Sequence, residues 1–225
     1  MIIENIAYRN KTGLFSSREQ AGLELAEKIK EVDFDILYII PNGGLPVGYG
    51  ILRKLKDLKI KADLLIVKKI HVPWTTEAGM GAVTPDGQIY LNERIISSSS
   101  INDKQIQKQI DFTKERINTI RNEFKLTNIL QPTNLDIMII DDGIASGFSM
   151  LAGIQWLKKM GANYIFVGSP TAPLSSLKTL EKKTTAIFCL NIREGYSFAV
   201  ADAYQNWYDV SLEEAKNQLE KIRNL

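Results

Sequence analysis

The chain has 225 residues, of which 44% are apolar and 24% are charged, and its formal net charge is +2. This length suits one large domain, and the near-neutral charge argues against a protein that binds nucleic acid or an anionic membrane. The one cysteine, Cys189, excludes a disulfide within the chain. Neither a secretion signal nor an apolar run long enough to span a membrane stands out, so we predict a cytoplasmic protein.

The first predicted element is a helix, which is followed by a strand that leads into a glycine loop. Ser16 and Glu19 fit a capping box at the start of a first helix. The apolar run 36–40 is typical of a buried strand, and it ends in Pro41-Asn42-Gly43-Gly44 ahead of a second helix. A strand, a glycine loop and a helix N-terminus together bind anions through backbone N–H groups, although an ordinary tight turn has the same pattern.

The next predicted strand ends in cations. Its apolar run, 62–67, precedes Lys68 and Lys69. Ligands bind at the carboxyl ends of strands in open α/β sheets, so these lysines are candidates for a ligand contact; a solvated pair is the alternative. His71 is the one histidine of the sequence. A general base is one possible role for it, but we interpret it as a loop residue because no partner for it is apparent.

The stretch 71–131 is far longer than the median loop of about 4–6 residues, so we expect it to contain structure. The polar stretch 97–100 predicts a mobile loop. We expect Arg116 and Arg121 on the exposed face of a helix that follows this loop. That long amphipathic helix is predicted from apolar residues that recur every three or four positions, at Ile106, Ile110, Thr113, Ile117, Ile120 and Phe124.

The sequence is organised around the stretch 137–149. Its four apolar residues, Ile137–Ile140, predict a strand buried on both faces, and Asp141 and Asp142 follow directly. A loop rich in glycine and serine then leads into an amphipathic helix, which is the geometry of a phosphate site. Adjacent carboxylates suit vicinal hydroxyls or Mg²⁺. Phosphoribosyl pyrophosphate, with a phosphate, a diol and a metal-binding diphosphate, satisfies all of these groups.

The last third of the chain predicts two more strands, at 164–167 and 186–190, with a loop at 169–173 and a short helix between them. Alternating strands and helices predict an α/β protein with a Rossmann-like, mostly parallel sheet flanked by helices. An aromatic tail at 196–208 follows. Ser211 and Glu214 fit a capping box for a final helix.

The stretch Ile137–Ser149 resembles, position by position, the phosphoribosyl pyrophosphate signature of the type I phosphoribosyltransferases. The stretch Lys69–Gly87 is similar to a poorly characterised branch of that family. The resemblance implies a single phosphoribosyltransferase domain over residues 1–225. It also implies a lid and helical insertion at about 71–131, a small C-terminal hood at about 191–210, and a homodimer.

The resemblance implies transfer of ribose 5-phosphate from phosphoribosyl pyrophosphate to a nitrogenous base in nucleotide salvage, with Mg²⁺ as cofactor and release of pyrophosphate. Asp141 and Asp142 would hold the ribose hydroxyls and reach the metal through the substrate, and Lys69 would neutralise the diphosphate. Asn42 stands where the family often has an arginine, so that charge is missing or supplied elsewhere. The implied substrate-binding residues are Asn42, Gly43, Gly44, Gly143, Ile144, Ala145, Ser146, Gly147, Phe148 and Ser149.

The acceptor base is left open. Ala145 stands where the hypoxanthine–guanine enzymes place an aspartate, which disfavours a 6-oxopurine, and Glu77 is our one guess for a general base. The aromatic tail either stacks on the base or forms a small hydrophobic core. The alternative function is a non-catalytic regulator that binds phosphoribosyl pyrophosphate. A receiver domain is disfavoured because the acidic pair lies late in the chain, and a dinucleotide enzyme because its glycine motif is missing.

Overall fold

The computed structural model describes residues 1–75, 79–195 and 197–225. Two short 3₁₀ helices, Ile6–Tyr8 and Val200–Ala203, accompany the regular elements. In chain order the strands and helices are β1 Ile2–Glu4, α1 Arg18–Ile29, β2 Ile36–Ile39, α2 Gly44–Lys54, β3 Lys61–Leu64, β4 Lys68–His71, β5 Gly79–Val83, β6 Ile89–Leu91, α3 Glu93–Ser98, α4 Asp103–Glu123, β7 Ile137–Ile140, α5 Phe148–Lys159, β8 Ile165–Pro173, α6 Leu174–Glu181, β9 Ala186–Arg193 and α7 Leu212–Arg223.

Six strands form one sheet in the order β1-β9-β8-β7-β2-β3. Every neighbouring pair in this sheet is parallel. The predicted Rossmann-like parallel sheet with flanking helices is therefore confirmed. Because β7 lies between β8 and β2, the stretch that follows it emerges at the middle of the carboxyl edge of the sheet.

The core is divided by the sheet into two layers, and β7 contributes to both. Met138 and Ile140 pack in the cluster that contains residues of α1 and α2. Ile137 and Ile139 pack in the cluster that contains residues of α5 and α6. Successive side chains of a strand point to opposite faces, so an unbroken apolar run is what a strand covered on both faces requires. All four side chains are fully buried.

A second, antiparallel sheet has three strands in the order β4-β5-β6. β5 and β6 lie in the stretch 71–131 that the sequence assigns to an insertion, whereas β4 ends at His71, where that stretch begins. The predicted long helix is confirmed as α4, which begins with a capping box formed by Asn102 and Gln105. Its buried residues, Ile110, Thr113 and Ile117, belong to the predicted apolar stripe. The sequence analysis did not identify these three strands, which are short.

Three local predictions are wrong. The stretch 97–100 is not wholly a loop, because Ser97 and Ser98 belong to α3, which Asn92 caps. The predicted loop 169–173 is part of β8, which continues beside β9 as far as the pair Pro173 and Arg193. The first helix is capped by Ser17, whose side chain accepts from the backbone N–H of Gln20, and not by Ser16.

Within the described ranges, no helix combines the length and the apolar character needed to cross a membrane. Two sequence-based predictions, Glu77 as a base and Tyr196 as part of the aromatic tail, fall outside the described residues.

Candidate active site

Asp141 lies at the carboxyl end of β7, where it borders two cavities. One cavity, of about 140 Å³, is formed mainly by the loop that follows the acidic pair. The other, of about 220 Å³, lies between the end of β2, β4 and α4. Both cavities share Lys69, Asp141 and Ser149 among their lining residues. The two spaces are thus neighbouring halves of one site at the carboxyl edge of the sheet.

The smaller cavity has the form of a phosphate site. Gly147 is the N-cap of α5 and has a φ of 78°, a left-handed conformation that glycine adopts without steric cost. The helix therefore begins at Phe148 with its first backbone N–H groups toward the loop. The loop residues predicted to bind substrate all line this cavity: Gly143, Ile144, Ala145, Ser146, Gly147, Phe148 and Ser149.

Hydrogen bonds and packing contacts with other parts of the chain fix this loop in place. The backbone N–H of Ile144 donates to the carbonyl of Thr171 at 2.9 Å, so this amide is used within the protein. Ser176 Oγ donates to the carbonyl of Ala145 at 2.6 Å. A Cβ on Gly143 would lie 2.2 Å from Val200 Cγ1, so the 3₁₀ helix Val200–Ala203 packs directly on the loop. The N–H groups left for a ligand are therefore those nearer the helix.

Asp142 has surroundings quite different from those of Asp141, and it lines neither cavity. Arg18 Nε donates to Asp142 Oδ2 at 2.7 Å, and the two side chains are only 6% and 14% exposed. The Tyr204 hydroxyl donates to the backbone carbonyl of Asp142 at 2.6 Å. A Cβ on Gly43 would lie 2.0 Å from Asp142 Oδ2, so only glycine fits there. Asp142 thereby joins α1, Tyr204 and the loop before α2.

The guanidinium of Arg18 is also covered by aromatic rings. Its Cζ lies 4.0 Å from the ring centroid of Trp207 and 5.6 Å from those of Tyr204 and Tyr208. Tyr204 is buried and packs on Phe15, with ring centroids 5.7 Å apart. These three aromatic residues therefore pack on Arg18 of α1, which supports the small-core interpretation for Tyr204. Arg18 was missed by the sequence analysis.

The loop between β2 and α2 packs against the acidic pair. The peptide bond between Pro41 and Asn42 is cis. Asn42 Nδ2 donates to the carbonyl of Val210 at 3.1 Å, so this side chain holds the segment before α7. A Cβ on Gly44 would lie 3.4 Å from the Cα of Asp141. Asn42, Gly43 and Gly44 line neither cavity, whereas Pro41 lines the larger one.

The larger cavity is cationic. Lys68 and Lys69 of β4 and Arg116 of α4 line it together with Asp141. The lysine pair is therefore not simply solvated. Burial, and after it the Arg116 guanidinium, lower the pKa of Lys68, whereas Asp141 opposes that shift. Arg116 is exposed as expected, yet it borders the cavity, and Arg121 donates from Nη1 to the carbonyl of Pro85 at 3.0 Å.

The inserted sheet shapes the position of Lys69. His71 of β4 pairs with Gly79 of β5, and His71 also lines the larger cavity, so it is a strand residue and not a loop residue. A Cβ on Gly79 would lie 2.5 Å from Lys69 Cδ. The methylene stem of Lys69 therefore packs on the bare backbone of β5.

Burial raises the pKa of the Asp141 carboxyl well above its ordinary value of 3.8, and the neighbouring Asp142 raises it further, while Lys68 opposes the shift. Asp141 is thus a desolvated carboxyl beside an open cavity, which is a common property of functional sites. Among the described residues, no cluster of three or more His, Cys, Asp or Glu side chains could hold a metal ion. Mg²⁺ is usually bound by one or two carboxylates together with substrate phosphates, and Asp141 fits that arrangement.

No family model matches this chain. Two relatives from Mycobacterium tuberculosis strains, provisionally named phosphoribosyl transferases, are each 27% identical to it over 210 residues. The alignment covers 89% of this chain and 45% of each relative, so the chain spans less than half of their length.

Two solved structures share the fold. TT1426 from Thermus thermophilus has a TM-score of 0.73 at 21% identity, over 92% of this chain and 97% of its own. The AQ2163 protein from Aquifex aeolicus has a TM-score of 0.51 at 14% identity, over 83% of this chain and 78% of its own. The chain thus shares its α/β fold with these two proteins and is similar in sequence to relatives named for phosphoribosyl transfer.

Proposed function

We propose that this protein is a phosphoribosyltransferase that transfers ribose 5-phosphate from phosphoribosyl pyrophosphate to a nitrogenous base. The observation that carries the proposal is the position of Asp141 between a helix-N-terminal loop and a cationic cavity. A donor with a phosphate at one end and a diphosphate at the other requires these two environments on opposite sides of its ribose.

The smaller cavity would bind the 5-phosphate. Backbone N–H groups at the N-terminus of α5 and the hydroxyls of Ser146 and Ser149 are donors suited to phosphate oxygens. No side-chain cation is needed from this loop, because the helix dipole favours negative charge at its N-terminus.

The larger cavity would bind the diphosphate. Lys68 and Lys69 supply positive charge there, and Asp141 can accept hydrogen bonds from ribose hydroxyls or contact Mg²⁺ that arrives with the donor. Mg²⁺ would neutralise part of the diphosphate charge when bound. In the reaction the bond from the anomeric carbon to the diphosphate oxygen breaks and a bond to the base nitrogen forms. Cations fixed beside the leaving group stabilise the negative charge that develops on it.

Asp142 has a positioning role in this proposal. Its carboxylate is engaged by Arg18, and its backbone carbonyl by Tyr204. The ribose hydroxyls are therefore assigned to Asp141 first, which departs from the equal roles that the family resemblance implies.

A regulator that binds the same donor without catalysis is the second candidate. The observation in its favour is Asn42, which stands at the position of the family arginine and is used to hold Val210. The acceptor base and the predicted homodimer stay predictions, as does the predicted lid.

Release of pyrophosphate tests the proposal. The protein is incubated with phosphoribosyl pyrophosphate, Mg²⁺ and, one at a time, purine, pyrimidine and pyridine bases. We expect release that depends on one base or one class of bases. Donor binding without release from any base would favour the regulator, and failure to bind the donor would contradict both candidates.

A further inference from the structure

The larger cavity has a source of positive charge that the family signature does not contain. In the type I phosphoribosyltransferases that the sequence resembles, the loop after the corresponding strand often carries an arginine for the diphosphate. Here that position is Asn42, whose Nδ2 donates to the carbonyl of Val210. The side chain is thus committed to the segment before α7, and Asn42 does not line the cavity.

We infer that Arg116 of α4 binds the leaving diphosphate in place of the missing loop arginine. This inference rests on the proposed function, because it assigns the larger cavity to the diphosphate. Arg116 lines that cavity from the side of α4, whereas Pro41 and Asp141 line it from the sheet. The inserted helix therefore adds a cation to the wall of this cavity.

The charges around the cavity favour a polyanion. Three cationic side chains, Lys68, Lys69 and Arg116, line it with one carboxylate, that of Asp141. Lys68 is desolvated, and the Arg116 guanidinium disfavours its charged form. Like charges held together in a partly buried space repel each other, and a bound anion relieves that repulsion. A diphosphate carries enough negative charge to do so, also when Mg²⁺ accompanies it.

Arg116 is presented by a rigid element. Ile110, Thr113 and Ile117 anchor α4 with their buried side chains, and Asn102 and Gln105 cap its start. The ring of Phe112, which also lines the cavity, lies 5.8 Å from the Arg116 guanidinium. A guanidinium is planar and binds phosphate oxygens with two parallel N–H groups, a geometry that a lysine does not reproduce.

The test compares two ligands on variants of one helix. Magnesium pyrophosphate and ribose 5-phosphate are titrated separately by calorimetry into the wild type, Arg116→Ala, Arg116→Lys and Lys108→Ala. Lys108 is an exposed cation of α4 that does not line the cavity, so it controls for general charge. We expect Arg116→Ala to weaken pyrophosphate binding by about 10–100-fold, as for a hydrogen bond to a charged group, and to leave ribose 5-phosphate binding unchanged.

Arg116→Lys should fall between the wild type and Arg116→Ala, and Lys108→Ala should bind both ligands like the wild type. Equal pyrophosphate affinity in Arg116→Ala and the wild type would overturn the role of Arg116 and leave the proposed function standing. A wild type that binds neither ligand would overturn both. Urea unfolding of each variant checks that its stability matches the wild type, which is expected because Arg116 is exposed.

Discussion

The two sides of the candidate site are built in different ways. The loop 143–149 comes from one contiguous stretch, and its donors are backbone N–H groups and hydroxyls that the helix start fixes in place. The cationic side is assembled from β4 and α4, which are more than 30 residues apart in the chain. A site made of backbone groups can therefore be predicted from local sequence, whereas a cluster of charged side chains depends on how distant elements pack.

The acidic pair shows the same contrast within two adjacent residues. Asp141 is a desolvated carboxyl beside the cavities, and Asp142 is a buried carboxylate with a cationic partner. Removing charge from the two should therefore affect folding in opposite directions.

Arg18→Leu should destabilise the protein by about 3–5 kcal/mol, because it leaves the Asp142 carboxylate buried without its partner. Urea unfolding measures the loss. Arg53→Leu is the matched control, since Arg53 Nη1 and Glu19 Oε1 are also 2.7 Å apart but their side chains are more exposed, at 45% and 33%. An exposed pair contributes about 0–1 kcal/mol. Equal losses in the two variants would contradict the structural role of Asp142.

Gly43→Ala should cost about 1–3 kcal/mol, as for overpacking of a filled space. The new methyl group would lie 2.0 Å from Asp142 Oδ2, which Arg18 holds in place. Gly44→Ala is the control, because its nearest neighbour, Ile39 Cγ2, is 3.3 Å from the added Cβ. Thermal unfolding of both variants measures the change in stability. If Gly44→Ala is destabilised as much as Gly43→Ala, the clash with Asp142 is not the cause of the destabilisation.

Asp141→Asn should stabilise the protein without ligand at neutral pH. Because the pKa of this carboxyl is raised in the folded state, the folded protein holds the proton more tightly than the unfolded chain. The stabilisation from protonation is present below the ordinary value of 3.8 and is lost as the pH rises toward the raised value. Asparagine does not titrate, so Asp141→Asn should have a higher free energy of unfolding than the wild type as the pH rises. This difference should vanish in acid.

Urea unfolding from pH 4 to pH 8 measures this effect. Asp142→Asn, measured alongside, should be less stable than the wild type at neutral pH because Arg18 loses its charged partner. If both variants shift stability in the same direction at neutral pH, the two carboxylates do not have the different environments described above.

Trp207→Leu should have the smallest effect, about 0.5–2 kcal/mol, from the loss of the ring that covers the Arg18 guanidinium at 4.0 Å. Tyr208→Leu is a useful comparison, since that ring is 5.6 Å away and more exposed. Urea unfolding should rank Trp207→Leu as the more destabilised variant, and the reverse order would show that the cation–π contact contributes little.

The parallel sheet and the position of the central loop could be predicted because both depend on local patterns. The apolar run 137–140 requires burial on both faces, and a helix follows the loop as predicted, although it begins at Phe148 and not at Met150. The division between Asp141 and Asp142 could not be predicted, because Arg18 lies 124 residues before its partner. One signal for this ion pair was available in the sequence. Arg18 lies on the same buried face of α1 as Ala21, Leu25 and Ile29, and a charged residue is rarely buried without a partner.

The inserted sheet escaped prediction for a related reason. β5 is a glycine-rich strand, Gly79–Val83, and glycine is unfavourable in strands unless another group approaches closely. Here the stem of Lys69 approaches Gly79, and the carbonyl of Tyr90 approaches Gly81. The loop predicted at 169–173 contains two prolines, yet it continues β8 because Thr171 and Ala172 pair with Asn191 and Ile192 of β9. Tertiary pairing thus overrides the local turn signal.

The most direct test of the account is a calorimetric titration of phosphoribosyl pyrophosphate with Mg²⁺ into the wild type and Asp141→Asn at neutral pH. Asp141 borders both cavities, so we expect the wild type to bind and the variant to lose about 10–100-fold in affinity while it remains folded. Equal affinity in the two proteins, or no binding by the wild type, would contradict the assignment of this edge of the sheet as the donor site.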